Sequence, residues 1–522
     1  MIDLHALHSV ADISRHQARV NGDRIALVFE GRETTYSELD ERTSRVANGL
    51  VAEGCKEGTR IGYLGKNSDY YFEVMLGAAK AKAVIAAVNW RLAAAELDYV
   101  LNNAETEVLF VGAEFYAVIQ ALAPSLKSLR TIIAIDGDHS DWVAFPAWRD
   151  AQEITDLNLP TAPDDDLVQM YTSGTTGNPK GVQLTNGNYL DLMDQAGNGG
   201  WGDWNAGEAN FVAMPIFHVA GVNIGLIGLA QGLVNVIIKD VDPVLILNLL
   251  EQYRVKYAFF VPAVILFLNS VPGVKERDFS NLSMILYGAS PISEEVLLTA
   301  KGIFKCDFCQ VYGLTETSGG GTILPPEDHD PARGKLRSCG KPPATAQVRI
   351  LGADGHDAAA NEVGEILYRS GSLMKGYWKN DEATAKAIKD GWFYTGDAGY
   401  LDDEGYLYIH DRIKDMVVSG GENIYPAEVE NALFAHDAVA DAAVIGVPDD
   451  RWGEAVKAVV VLKPGKTATE EDIIHFVKSK IAGYKVPKTV DFVTALPRNP
   501  TGKLLKRELR APYWEKQGRQ IN

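Results

Sequence analysis

Helical and extended periodicities alternate along the first half of the chain. Apolar residues at helical spacing mark Tyr36–Glu53 and Tyr70–Ala81, and each is followed by a short apolar run, Arg60–Leu64 and Ala83–Val88. That rhythm predicts an α/β sheet with helices on its faces. From about Pro342 to Tyr408 the pattern changes to short strands between Gly-rich turns, including Gln347–Leu351, Glu365–Tyr368 and Tyr406–Ile409. This predicts a small β-rich subdomain. A third pattern follows Arg412-Ile413-Lys414-Asp415. It comprises a helix (Ala427–His436), strands (Asp441–Val447, Ala455–Leu462), a helix (Glu470–Ile481), a strand (Val490–Thr494) and a last helix after Gly502. An α+β unit of roughly a hundred residues has the size of a separate domain.

Composition narrows the reading. A chain of 522 residues with 46% hydrophobic and 23% charged residues is ordinary globular material, too long for one core. A net charge of −19 argues against binding a nucleic acid polymer, which needs a basic field. The basic residues near the end (Lys503, Lys506, Arg507, Arg510, Lys516, Arg519) read as a solvated helix face. Four cysteines make no disulfide framework, so a reducing, cytoplasmic setting is expected. Cys306 and Cys309 lack a second pair for zinc, and the flanking Phe304, Phe308 and Val311 read as a buried strand. Met1–Ser14 lacks the basic-then-apolar run of a signal peptide. Ala209–Ile238 contains no Asp, Glu, Lys or Arg, but His218, Asn223, Gln231, Asn235 and four glycines interrupt it. A buried helix followed by a strand, Leu233–Ile238, is expected there rather than a membrane span.

The densest candidate chemistry lies in Tyr171-Thr172-Ser173-Gly174-Thr175-Thr176-Gly177-Asn178-Pro179-Lys180-Gly181. Glycines let backbone N–H groups close around an anion, hydroxyls add donors, and Lys180 adds charge. The run does not fit the Walker pattern. Strand-like flanks, Leu167–Met170 and Val182–Leu184, predict a hairpin loop that grips phosphate.

This loop resembles the phosphate loop of the adenylate-forming superfamily, which includes acyl-CoA synthetases, luciferases and peptide-synthetase adenylation domains. Further segments resemble that family's motifs in order: Tyr287-Gly288-Ala289-Ser290-Pro291 (adenine turn), Tyr312-Gly313-Leu314-Thr315-Glu316 (adenylate and magnesium), Tyr394-Thr395-Gly396-Asp397 (ribose), Asp411–Asp415 (hinge), Ser419-Gly420-Gly421-Glu422-Asn423, and Pro497–Lys503. The resemblance spans nearly the whole chain. It implies a large N-terminal domain of α/β sheets with a small β-barrel-like subdomain (1–411), a hinge (412–415), and a small mobile α+β C-terminal domain (416–522).

The implied activity is ATP-dependent conversion of a carboxylic acid to acyl-AMP, followed by thioesterification to CoA. A carboxylate is already a nucleophile at pH 7, so catalysis reduces to positioning and charge neutralisation. By resemblance, Glu316 holds Mg²⁺, Thr315 touches the α-phosphate, and Asp397 accepts the ribose hydroxyls with Arg412 nearby. Lys503 meets the developing charge, Lys414 is the pivot, and Ser419–Asn423 lines the CoA path. ATP contacts are expected from Thr172–Gly177, Lys180, Gly288–Ser290, Tyr312 and Gly313.

Pro215-Ile216-Phe217-His218-Val219-Ala220-Gly221 resembles the gate and acyl-pocket segment, with His218 beside the carboxylate path or a core histidine. No acidic residue follows to hold an α-ammonium, which argues against an amino acid substrate. The small residues Thr317–Gly321 either leave acyl room beside Phe217, Val219, Gly313, Gly319 and Gly320, or serve backbone turns. A medium, long-chain or bulky apolar acid is expected, with aryl or alicyclic acids second. An acyl carrier protein as acceptor and a non-catalytic nucleotide-binding regulator are the competing functions, and a homodimer stays open. Retention of Lys503 and Glu316 argues against the regulator.

Overall fold

The computed structural model describes residues 2–172, 179–198, 201–290, 292–412, 415–419, 422–449, 451–498 and 504–514; of Asn198, His410–Arg412, Glu422 and Asn423 only the backbone is described. The alternating periodicity of the first half forms two eight-stranded sheets. One runs in the order Gly376–Tyr377, Lys180–Thr185, Asp166–Thr172, Val84–Ala87, Arg60–Leu64, Val108–Val111, Thr131–Ala134, Val143–Ala144. Its pairings are parallel except for the two that involve Lys180–Thr185. The other runs Gly321–Leu324, Asp307–Gly313, Met284–Gly288, Tyr257–Phe260, Ala209–Val212, Val234–Ile237, Ile25–Phe29, Arg32–Thr35, antiparallel only at its two edges.

The helices Asp69–Lys80 and Val219–Ala230 share one apolar core. They meet at Gly225, where a Cβ would stand 2.3 Å from the Phe72 ring, so a larger residue would part them. The uncharged stretch is thus a buried helix followed by the strand Val234–Ile237, as its composition predicts, and preceded by a strand, Ala209–Val212, that was not predicted. No helix among the described residues is long and apolar enough to cross a membrane.

The β-rich stretch forms a five-stranded antiparallel sheet (Gln347–Leu351, Gly364–Arg369, Trp392–Leu401, Ile388–Lys389, with Leu407–Arg412 beside Trp392–Leu401). One piece leaves it: Gly376–Tyr377 crosses back to pair with Lys180–Thr185 of the first sheet. The last unit carries a sheet ordered Glu422–Ile424, Val417–Ser419, Gly453–Leu462, Val439–Asp449, with Thr489–Phe492 parallel to Gly453–Leu462. Its own core includes Val429, Leu433, Val444, Val460 and Ile473.

Two expectations are corrected. Phe304 ends the helix Glu294–Phe304 rather than entering a strand, and Cys306 lies in the turn before strand Asp307–Gly313. Ser293 caps that helix and Lys305 closes it in the left-handed region (φ +51°), signals that outweigh the apolar run. The last helix, Lys506–Trp514, is not simply solvated: Lys506 pairs with Glu430 at 2.9 Å, and buried Arg510 pairs with Asp415 at 3.2 Å.

Candidate active site

Strands Asp166–Thr172 and Lys180–Thr185 form the predicted hairpin, with Thr172 opposite Lys180. Ser173, Gly174, Thr175, Thr176 and Gly177 lie outside the described residues. Thr172 and Lys180, both half-buried, are the paired strand residues on either side of that segment. The Lys180 ammonium sits 4.8 Å from the centre of the Tyr377 ring.

Parallel strands Met284–Gly288 and Asp307–Gly313 end side by side, and ligands of open α/β sheets bind outside such carboxyl ends. A Cβ on Gly288 would fall 2.2 Å from the Val311 carbonyl oxygen, so only glycine allows this approach. Ala289 follows in the left-handed region (φ +69°) and turns the chain, with Ser290 half-buried beside it. Tyr312 donates its hydroxyl to Asp397 Oδ2 at 2.8 Å across 85 residues of chain. Burial and that carboxylate push the Tyr312 phenol well up, so it stays protonated and donates. Gly396 (φ +71°) directs its N–H to Glu365 Oε1 at 3.1 Å, and burial raises the Glu365 carboxyl. Arg412 is the strand partner of Asp397.

Thr315–Thr317 forms a single 3₁₀ turn after strand Asp307–Gly313. Glu316 is held at two points: Met374 donates its N–H to the Glu316 carbonyl at 2.8 Å, and Tyr377 donates its hydroxyl to Oε1 at 2.9 Å. Ser318 (φ +54°) and Gly319 (φ +81°) then reverse the chain. Asn223 donates to the Ser318 carbonyl at 2.7 Å, and the Ser318 hydroxyl donates to the Ser372 carbonyl at 2.9 Å. The small residues here serve close packing. A Cβ would stand 2.2 Å from Gly319 O at Gly313, 2.6 Å from Asn223 Nδ2 at Gly319, and 3.0 Å from Ser372 Oγ at Gly320.

His218 caps the buried helix Val219–Ala230. Its ring lies 4.4 Å from the Phe217 ring, which meets Trp90 edge-on at 6.1 Å. Burial, with a smaller push from Arg91, takes the imidazole pKa down to about 3, so the ring is neutral. Its Nε2 is buried with no hydrogen-bond partner among the described residues.

In the last unit Ser419 pairs with Glu422 and Val418 with Asn423. Gly420, Gly421, Lys414 and Lys503 lie outside the described residues. Arg498 and Leu504, on either side of residues 499–503, form an antiparallel bridge. Sequence reasoning missed Tyr377, Glu365 and Asn223, whose contacts bridge 61, 31 and 95 residues. A cleft of about 380 Å³ between Gln195, Ile323, Lys341 and Tyr406 contains none of the predicted site residues.

No group of three or more metal-ligating side chains occurs among the described residues. One half-buried carboxylate, Glu316, held by Tyr377 beside the hairpin strand Lys180–Thr185, nevertheless fits magnesium, which is bound through one or two carboxylates plus substrate phosphates.

This fold and site define a nucleotide-using ligase. The chain belongs to the AMP-binding enzyme family: the family profile matches residues 14–378, and the AMP-binding enzyme C-terminal domain matches residues 428–503. It is an ATP-dependent, AMP-forming acid ligase. It is 37% identical to a fatty acid–[acyl-carrier-protein] ligase of Streptomyces coeruleorubidus over 95% of each chain. It is also 37% identical to a feruloyl-CoA synthase of an Amycolatopsis species, over 95% of this chain and 97% of the relative. Among solved structures, ATP-bound MatB from Rhodopseudomonas palustris superposes with a TM-score of 0.88 at 28% identity, covering 97% of this chain and 99% of that one.

Proposed function

We propose that the chain joins an apolar carboxylic acid, medium or long-chain or bulky, to CoA in two steps. In the first, a carboxylate oxygen attacks the α-phosphorus of ATP, the bond to the β-phosphate oxygen breaks, and pyrophosphate leaves. In the second, the CoA sulfur attacks the acyl carbon of the adenylate, AMP leaves, and the thiol proton passes to solvent. The observation that carries the nucleotide half is the Tyr312–Asp397 hydrogen bond at the carboxyl ends of two parallel strands. It orients a carboxylate whose two oxygens suit vicinal ribose hydroxyls. Thr172, Lys180 and Ser173–Gly177 take the phosphates, Gly288–Ser290 flank the adenine, Tyr312 and Gly313 border the adenylate, and Arg412 adds charge beside Asp397. Thr315 meets the α-phosphate and Lys503 the charge that develops there. Glu316 would hold magnesium, which would supply neutralisation of the phosphates.

The neutral His218 imidazole, with Nε2 unpartnered, suits a hydrogen bond to the acid without adding charge. Phe217, Val219, Gly313, Gly319 and Gly320 bound the acyl group. The domains are 1–411 and 416–522, joined at 412–415. Lys414 is the pivot on which the smaller domain turns, bringing Ser419, Gly420, Gly421, Glu422 and Asn423 to the CoA arm. Lys414→Pro restricts φ there; thioester formation should fall more than acid-dependent pyrophosphate exchange, and equal loss in both would remove the pivot.

The Streptomyces relative favours a second reading, an acyl carrier protein as acceptor. A mass-spectrometric screen of fatty, aryl and alicyclic acids with ATP, Mg²⁺ and CoA separates the two. Equal acyl-CoA and AMP supports CoA transfer, and acyl-AMP without thioester supports the carrier. Neither product from any acid counts against both.

A further inference from the structure

Resting on the assignments of Lys180 to phosphate and Glu316 to magnesium, we propose that Tyr377 is a positioning residue that keeps these opposite charges close but unpaired. Three observations meet at this side chain. Its hydroxyl donates to Glu316 Oε1 at 2.9 Å, and its ring centre lies 4.8 Å from Lys180 Nζ. Neither Lys180 nor Glu316 takes part in an ion pair among the described residues, although each lies against the same ring.

The backbone fixes this ring tightly. Gly376–Tyr377 pairs with Val182 and Gln183, Tyr377 N–H donates to Thr384 Oγ1 at 2.9 Å, and Trp378 N–H donates to Gly181 O at 2.7 Å. Lys375 N–H donates to Gln183 O at 3.0 Å, and Met374 N–H reaches the Glu316 carbonyl. The two-residue strand thus belongs to the phosphate hairpin on one side and to the Glu316 turn on the other. An ammonium and a carboxylate left adjacent in a half-buried cleft would pair, and both would lose affinity for the charged groups they are there to bind. An aromatic side chain that touches both avoids this. Its face attracts the cation by a cation–π contact, while its hydroxyl holds the anion, so both stay oriented and unpaired.

The test separates the two faces of the ring. Tyr377→Phe keeps the spacer and removes the hold on Glu316. The Mg²⁺ concentration for half-maximal pyrophosphate exchange should rise about tenfold, the scale of one hydrogen bond to a charged group. ATP binding in EDTA, read by calorimetry, should stay within about twofold, as a cation–π contact retained implies. Tyr377→Leu removes both faces and lets Glu316 capture Lys180, so ATP binding in EDTA weakens. Glu316→Gln added to Tyr377→Leu should restore it, which a merely structural role of Tyr377 would not. An unchanged Mg²⁺ requirement in Tyr377→Phe, or no restoration in the double variant, overturns the proposal while leaving the ligase reading intact. Wild-type protein that binds ATP without any Mg²⁺ effect overturns the assignment of Glu316 itself.

Discussion

The proposed nucleotide rim and the proposed acyl side of this molecule are built by different means. On the rim, carboxylates accept discrete hydrogen bonds: Asp397 from Tyr312, Glu316 from Tyr377, and Glu365 from the Gly396 N–H. On the acyl side the structure rests on close approach instead, with Gly313, Gly319 and Gly320 packed against backbone and amide groups and Phe217 against Trp90. On the proposed reading ATP is recognised by hydrogen bonds from groups at fixed places. Relatives are named for different acids, fatty and ferulic, and the proposed acyl residues differ from the rim in resting on close packing. The difference teaches that, on this reading, chemistry and selectivity are carried by separate physical devices.

Substitutions on the rim should therefore act through charge, and those on the acyl side through packing. The largest effect is expected at Lys503. Lys503→Ala should slow acid-dependent pyrophosphate exchange by about 10²–10³-fold, as for loss of one preorganised donor. A loss below about tenfold in single-turnover adenylation would remove it from that role. Asp397→Ala should raise the KM for ATP by about 10–100-fold, the worth of hydrogen bonds to a charged group, with Tyr312→Phe lower in the same range. Both should leave the KM for the acid unchanged; equal shifts for acid and ATP would blur the contrast between rim and acyl side. Gly319→Ala forces a side chain into a left-handed position beside Asn223 and should cost on the order of 1–3 kcal/mol of stability by thermal unfolding. Its kinetic effect should fall on the acid and spare ATP.

The smallest expected effect is a slope with pH. His218 is held neutral down to about pH 3, whereas an unfolded histidine takes a proton near pH 6.5. Between those values the unfolded chain binds more protons, so stability is full above about pH 6.5 and falls as pH drops toward 3. His329, lowered by burial to about 4, adds a slope of the same sign. His218→Asn should flatten the slope without shifting an acid limb of kcat/KM between pH 5.5 and 8. A wild-type limb in that range that vanishes in the variant would mean the imidazole titrates during turnover.

Much of the fold was legible because local pattern and tertiary context agree. Arg60–Leu64 and Gln347–Leu351 form strands over those same residues, and the hairpin flanking the phosphate loop follows its strand-like neighbours. Phe304 was misread because a short apolar run cannot tell strand from helix end, while the Ser293 cap could have pointed to a helix. Gly376–Tyr377 was not legible: two residues carry no periodicity, and their partner strand lies nearly two hundred residues earlier. The rim's motif residues were legible because each is a distinctive residue type in a short run. Their supports were not, since Tyr377 and Glu365 look like ordinary strand residues until the chain folds. The glycines near 319 were legible only as small residues; that Asn223 and Ser372 fill the space beside them depends on packing.

Exchange of labelled pyrophosphate into ATP, measured without any thiol and with the acid that gives most product, tests the central claim most directly. An acyl-adenylate intermediate predicts exchange that requires the acid and Mg²⁺ and proceeds in the absence of CoA. Thioester and AMP formed from that acid, with no exchange until CoA is added, would contradict it.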